Sequence, residues 1–279
     1  MSTRPTVADK RRSFQRLHAE GCFVIPNPWD VGSAVYLQSL GFKALASTSS
    51  GLAWTLGRAD NSITRDAALA HLAALVQATD VPINADFENG FAHEPDGVAQ
   101  SVTLALQAGV AGLSIEDSTG HAQTPLYDEE MAVARIRAAR RAIDAAGGDA
   151  LLVGRAECFL VGRPDIEFAI ARLKAYADAG ADCLYAPGIR TRAHIGAVVR
   201  ALAPKPVNLL MGWAGELSVA EIAALGVRRI SVGGALAKCA WAGFAQAATQ
   251  LAREGRFDAL ANGAGAGNLD ALFATPRRP

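Results

Sequence analysis

Short, nearly continuous apolar runs alternate with longer amphipathic segments from one end of the chain to the other. Eight runs read as strands: residues 22–25, 44–47, 82–86, 112–116, 151–155, 183–185, 207–210 and 229–232. They lack polar alternation, which is the pattern of parallel strands covered on both faces. Between them the spacing predicts helices over 30–39, 64–78, 95–108, 128–146, 165–179, 191–202, 218–224 and 235–254. Thr64 is a good N-cap, and Gly109, Gly147, Gly180 and Gly226 stand where helices stop. Eight strand–helix units without a Pro/Ser-rich linker predict one (β/α)8 TIM-type barrel spanning 1–279. The alternative, a doubly wound sheet, lacks a GxGxxG after its first strand. Residues 5–20 predict an extra N-terminal helix. Residues 256–279 form a C-terminal arm, Gly-rich over 261–268 and apolar over 269–273. It reads either as a docking element exchanged between subunits or as a frayed tail.

Charge narrows the partners. Lys and Arg total 27, matched by 27 Asp and Glu, so there is no basic face for nucleic acid or an anionic membrane. No apolar run is long enough to span a bilayer, and the charged N-terminus lacks the apolar core of a signal peptide. The four cysteines (Cys22, Cys158, Cys183 and Cys239) are far apart and form no CxxC pair. They read as reduced thiols of a cytoplasmic protein.

A barrel carries its chemistry at the C-terminal ends of its strands. Strand 3 ends in Asp86-Phe-Glu88-Asn-Gly90, strand 4 in Glu116-Asp117 and strand 5 in Arg155-Ala-Glu157, while Asp60 follows strand 2. Carboxylates converging on one mouth repel unless a cation sits among them. Hard oxygen ligands without nearby His or Cys favour Mg²⁺, with Mn²⁺ as the substitute. The alternative is a set of structural ion pairs with Arg155, Arg58 and helix N-termini. The Ser50-Gly51 turn offers N–H and hydroxyl donors for a carboxylate or enolate oxygen. No GxSxG, Walker A or HExxH motif is present. His121, just after strand 4, is a candidate general acid. Trp29, Trp54 and Trp213 are candidates to wall the mouth.

In order, Ser50-Gly51-Leu52, Asp60, Asp86-x-Glu88-x-Gly90, Ile115-Glu116-Asp117 and Arg155-x-Glu157 resemble the isocitrate lyase/phosphoenolpyruvate mutase superfamily. The resemblance runs from about Asn27 to Val232. It implies a Mg²⁺-dependent enzyme acting on 2-oxo or 2-hydroxy acids through an enolpyruvate-like intermediate. By position, Asp86 resembles the principal metal ligand, and Glu88 and Glu116 the acids that help hold the ion. Ser50, Gly51 and Leu52 match the turn that binds the carboxylate and the enolate oxygen. Arg155 matches the substrate-binding arginine, and Asp60 the aspartate close to the transferred group. The resemblance also implies a homo-oligomer, dimer or tetramer.

Departures refine the expectation. The lyases' Cys-bearing loop after strand 4 is replaced by Ser-Thr-Gly-His-Ala-Gln-Thr-Pro at 118–125, and the mutases' longer loop is absent too. The shorter loop suits a small dicarboxylate, with Trp54 and Tyr185 shaping its pocket. The leading expectation is a carbon–carbon lyase or decarboxylase of small 2-hydroxy or 2-oxo dicarboxylates. Its alternatives are P–C bond chemistry on phosphonopyruvate-type substrates and a non-catalytic 2-oxo acid binder.

Overall fold

The computed structural model describes residues 4–274. Strands β1 (Phe23–Ile25), β2 (Leu45–Ala46), β3 (Ile83–Asp86), β4 (Gly112–Glu116), β5 (Leu151–Arg155), β6 (Cys183–Tyr185), β7 (Val207–Leu210) and β8 (Arg229–Ser231) are all parallel. They follow one another around the sheet, with β8 returning to pair with β1. The seam between β1 and β2 is closed by Ala46 N–H donating to Pro26 O at 3.1 Å. Asn27 ties the same seam. Its Oδ1 accepts from Val232 and Gly233 N–H, and its Nδ2 donates to Ser47 O, all at 2.9 Å. The result is the expected (β/α)8 barrel.

The connecting helices are α2 (Val31–Ser39), α4 (Arg65–Ala78), α5 (Pro95–Gln107), α6 (Glu129–Ala145), α7 (Ile166–Asp178), α8 (Arg192–Leu202), α9 (Val219–Ala224) and α10 (Ala235–Glu254), and the extra N-terminal helix is α1 (Val7–Ala19). Asp30, Thr64, Asp128, Asp165, Thr191 and Ser218 each accept a first-turn N–H. These caps place several helix starts one residue later than their predicted first residue, because a cap itself is not helical. Helix α1 plugs the end of the barrel away from the strand C-termini. Phe14 is fully buried against Ile25, Ala44, Ala46 and Ala111, and His18 stacks edge-on between Phe14 and Phe23.

One feature differs from the sequence reading. The Ser/Thr/Gly run after β2 is not a simple turn: it opens a short helix, α3 (Ser49–Thr55), capped by the Thr48 side chain. Glycine at 51 is required, because a Cβ there would lie 2.6 Å from Thr48 Cγ2 and 2.7 Å from Trp29 Cβ. The last long helix, α10, buries only Ala237, leaving Trp241 and Phe244 exposed as an edge-on pair. The arm beyond it forms a 3₁₀ segment (Asp258–Ala266) and a helix, α11 (Leu269–Ala274), whose Phe273 ring closes on Gly32 of α2. Among the described residues no helix is long and apolar enough to cross a membrane.

Candidate active site

Strand register builds the site. Glu116 on β4, Arg155 on β5, Tyr185 on β6 and Asn208 on β7 are successive cross-strand partners. Partners in a parallel pair project to the same face, so Glu116, Arg155 and Tyr185 stand together at their strand ends, with Asn208 deeper, near the start of β7. Asp86 at the end of β3 joins it. Its Oδ1 accepts from Arg155 Nη1 at 3.0 Å, and its Oδ2 accepts from both the N–H and the hydroxyl of Ser49 at 3.0 Å. Asp86 N–H donates to Ser47 Oγ at 2.9 Å. Arg155 also meets Glu116 Oε2 at 3.2 Å, pairs with Glu157 through Nε, and lies 5.3 Å from the Tyr185 ring centroid. One guanidinium therefore serves three carboxylates.

The loop after β3 carries the backbone strain. Glu88 and Phe91 have φ of 48° and 55°, in the left-handed region that ordinary side chains avoid. Arg135 of α6 holds this loop by donating to the carbonyl oxygens of Asn89, Ala92 and His93 while lying over the Tyr127 ring. Asp117 is spent on the framework: it accepts from Arg172 Nη1, Tyr176 OH and Glu157 N–H at 2.7–2.9 Å. Cys158 is fully buried, and burial pushes its thiol up to about 11. It packs rather than reacts.

These strand ends open on a cavity of about 330 Å³. Asp60, Asp86, Arg155 and Tyr185 form one side. Thr48, Ser49, Ser50 and Trp54 come from the start of α3. Asn84, Ser114 and Arg229 line the interior, and Arg190, Trp213 and Lys238 complete the wall. The Ser50 N–H, in the first turn of α3, makes no hydrogen bond and is free for an oxygen ligand. The start of α10 comes close here. A Cβ on Gly234 would lie 2.7 Å from Ser50 Oγ and 3.0 Å from the Trp54 ring, so only glycine permits that approach.

The site is over-supplied with acid. Burial, then repulsion from Asp86 and Asp60, pushes Glu88 up to about 8. Burial likewise raises Glu116, Glu157 and Asp60 more than Arg155 lowers them. Glu88 Oε1 is buried and has no hydrogen-bond partner among the described residues. A hard divalent cation suits this donor set. Yet no three His, Cys, Asp or Glu side chains converge on one ion position among the described residues. The arrangement fits a largely hydrated ion held by one or two carboxylates, as Mg²⁺ prefers, rather than an all-protein cage.

The structure sorts the sequence candidates. Asp60, Asp86, Arg155, Ser50, Trp54 and Tyr185 line the cavity together. Glu116 reaches it only through Arg155, and Glu88 stands outside its wall. Gly51 and Leu52 are on the buried face of α3, and the Gly51 N–H is taken by Thr48 Oγ1 at 3.3 Å. His121 is corrected: it is exposed and outside the cavity. The Ser118–Leu126 bridge and the Thr119 N–H to Pro125 O bond fold its loop back on itself. Sequence reasoning missed Ser49, Arg190, Lys238 and Arg229. Arg229 points inward from β8, whereas Arg190 and Lys238 sit on a loop and a helix start at the barrel mouth.

Comparison with known proteins agrees with this geometry. Residues 14–252 match the phosphoenolpyruvate phosphomutase family. A Burkholderia cenocepacia J2315 protein provisionally described as a lyase/mutase superposes with a TM-score of 0.94 at 48% identity, covering 98% of this chain and 99% of that one. A 2,3-dimethylmalate lyase superposes at 0.81 with 30% identity, over 92% and 90% of the two chains. The oxaloacetate decarboxylase of Paraburkholderia xenovorans (strain LB400) is 32% identical over 232 residues, 79% of this chain and 74% of that protein.

Proposed function

The chain belongs to the phosphoenolpyruvate mutase/isocitrate lyase superfamily and is an enzyme of its lyase type, and from this premise we propose that it cleaves a carbon–carbon bond of a small 2-hydroxy or 2-oxo dicarboxylate, with Mg²⁺. The observation that carries the reading is the Arg155 hub: one buried guanidinium among Asp86, Glu116 and Glu157 beside a small cavity. A carboxylate substrate binds where Arg155 faces the cavity, through the guanidinium N–H groups that Asp86, Glu116 and Glu157 leave free. The Ser50 hydroxyl and the free Ser50 N–H are placed for the oxygen on which charge develops. Asp86, with Glu88 and Glu116 behind it, would hold the metal ion, which supplies Lewis-acid stabilisation of an enolate.

In a decarboxylation the C3–C4 bond breaks, its electron pair moves to make the enolate, and a proton returns to C3. The neutral donor on this wall is Tyr185. Burial pushes its phenol up to about 12, so it stays protonated at neutral pH. We place the proton transfer there in preference to the exposed His121.

The test is a coupled pyruvate-release assay with Mg²⁺ over oxaloacetate, 2,3-dimethylmalate, 2-methylisocitrate and phosphonopyruvate, with Asp86→Ala as the blank. Metal-dependent release from a carbon acid, lost in the blank, is expected. Turnover of phosphonopyruvate alone would replace this reading with P–C chemistry, and silence across the panel would leave a 2-oxo acid binder.

A further inference from the structure

The acid cluster of the cavity explains Arg155, Asp86 and Asp60 but not the other cations at its mouth. There two cations rest on indole faces. The Arg190 guanidinium carbon lies 4.1 Å from the Trp213 ring centroid, and Lys238 Nζ lies 5.6 Å from that of Trp54. All four side chains line the cavity. They come from four separate elements: the loop after β6, the loop after β7, the first turns of α10, and α3.

Neither Arg190 nor Lys238 has an acidic partner or a side-chain hydrogen bond among the described residues. Stacking on indole orients a cation while leaving its N–H groups free. Inside the cavity Arg229 repeats the pattern. It is 2% exposed, bonded to Asn208 Oδ1 at 2.8 Å and Asn84 Oδ1 at 3.2 Å, and meets no carboxylate. Arg190 and Lys238 are exposed at the mouth, where water solvates them until an anionic ligand group takes its place. The cavity thus joins an acid-rich cluster around one arginine to three further cations, Arg190, Lys238 and Arg229, that form no ion pair among the described residues.

We propose that Arg190 and Lys238 form a second anion subsite, which holds the distal anionic group of a substrate whose 2-oxo or 2-hydroxy acid end sits at Arg155 and Asp86. This rests on the function proposed above and sharpens it: the substrate is a dianion, and a pyruvate-sized monoanion leaves Arg190 and Lys238 without an anionic partner. The distal group is a carboxylate or a phosphonate, since both accept the same cationic donors.

Calorimetry with Mg²⁺ at constant ionic strength tests it, with three ligands that share one 2-hydroxy acid head. These are malate, 3-phosphonolactate and 2-hydroxybutyrate, the last carrying a methyl where the others carry an anion. A charge-assisted contact at the distal end predicts that the better dianion binds about ten- to a hundredfold tighter than 2-hydroxybutyrate. Comparison of the two dianions identifies the distal group. In the Arg190→Ala/Lys238→Gln double variant that ratio falls toward one. A wild-type ratio near one, a ratio retained in the double variant, or no measurable binding of either dianion overturns the proposal. Asp86→Asn tests the underlying reading separately. It should weaken all three ligands alike, and if it does not, the head-group assignment fails while the ratio still decides the distal subsite.

Discussion

Replacing Arg155 by Gln removes the counter-ion of three acids at once. The guanidinium is 15% exposed and sits 3.0 Å from Asp86 and 3.2 Å from Glu116, with Glu157 on its Nε. Deleting one partner of a buried ion pair costs about 3–5 kcal/mol, because the remaining charge is stranded. For a fold of this size about 2–4 °C of melting temperature follows each kcal/mol, so a loss of roughly 6–20 °C is expected near pH 8.

The pH dependence carries the sharper test. Glu88, Glu116 and Glu157 already have folded-state values raised by burial. The folded chain therefore holds protons that the unfolded chain releases, and stability falls as pH rises from about 4.3 toward the folded value. That value is about 8 for Glu88. Without Arg155 the acids shift further up. The variant's deficit should be largest near pH 8 and shrink toward about pH 5.5, as the acids raised by burial take up protons. Added Mg²⁺ should recover part of the loss at the higher pH. Thermal unfolding of both proteins at the two pH values, with and without Mg²⁺, measures this. An equal deficit at both pH values, or one below about 1 kcal/mol, would refute Arg155 as the acids' counter-ion.

Other outcomes are expected. His18, buried and facing Arg229, is held down at about 3, first by burial and then by that cation. The unfolded chain protonates its histidine near 6.5 while the folded one does not, so about 2 kcal/mol of stability is lost by pH 5. His18→Gln should flatten that slope in urea midpoints taken against pH, and an unchanged slope counts against the assignment. Gly51→Ala forces a Cβ to within 2.6 Å of Thr48 Cγ2. It should cost about 1–3 kcal/mol in urea unfolding, and a neutral result would mean that α3 shifts freely. Trp241 and Phe244, 44% and 62% exposed on α10, predict a homo-oligomer in light scattering that Trp241→Asp/Phe244→Asp reduces to monomer. A full-length monomer would end that idea.

The barrel was legible because its strands are buried on both faces and leave unbroken apolar runs, and because Gly and Asp/Thr/Ser punctuate the helices between them. Helix α3 was not legible. Ser49, Ser50 and Gly51 are weak helix formers, and the helix exists because Thr48 caps it and because Trp29 and Ala237 close on Gly51. That tertiary context also decides what the turn offers. The Gly51 N–H expected to greet a substrate is spent on Thr48, and the Ser49 hydroxyl and N–H are spent on Asp86. Of the three, Ser50 keeps a free N–H.

Strand-end residues could be placed from sequence because register fixes their direction: Asp86, Glu116, Arg155 and Tyr185 stand at the ends of consecutive strands. Loop and helix residues carry no such period. Nothing in the sequence marks Arg190 or Lys238, and His121 is a candidate only because it follows strand 4. The loop that carries His121 is short enough to close on itself through the Ser118–Leu126 bridge, which turns the imidazole into solvent. Shortening this loop has two coupled consequences in our reading. It takes the acid off the loop and leaves proton transfer to the rigid wall, where Tyr185 stands beside Arg155 by register. It also opens the mouth on the far side, where the Arg190 and Lys238 cations remain without acidic partners. Tyr185→Phe should then lower turnover while leaving the dianion preference intact, and Arg190→Ala should erode the preference first. If both variants lose both properties together, the two sides of the cavity act as one unit and the division argued for them does not hold.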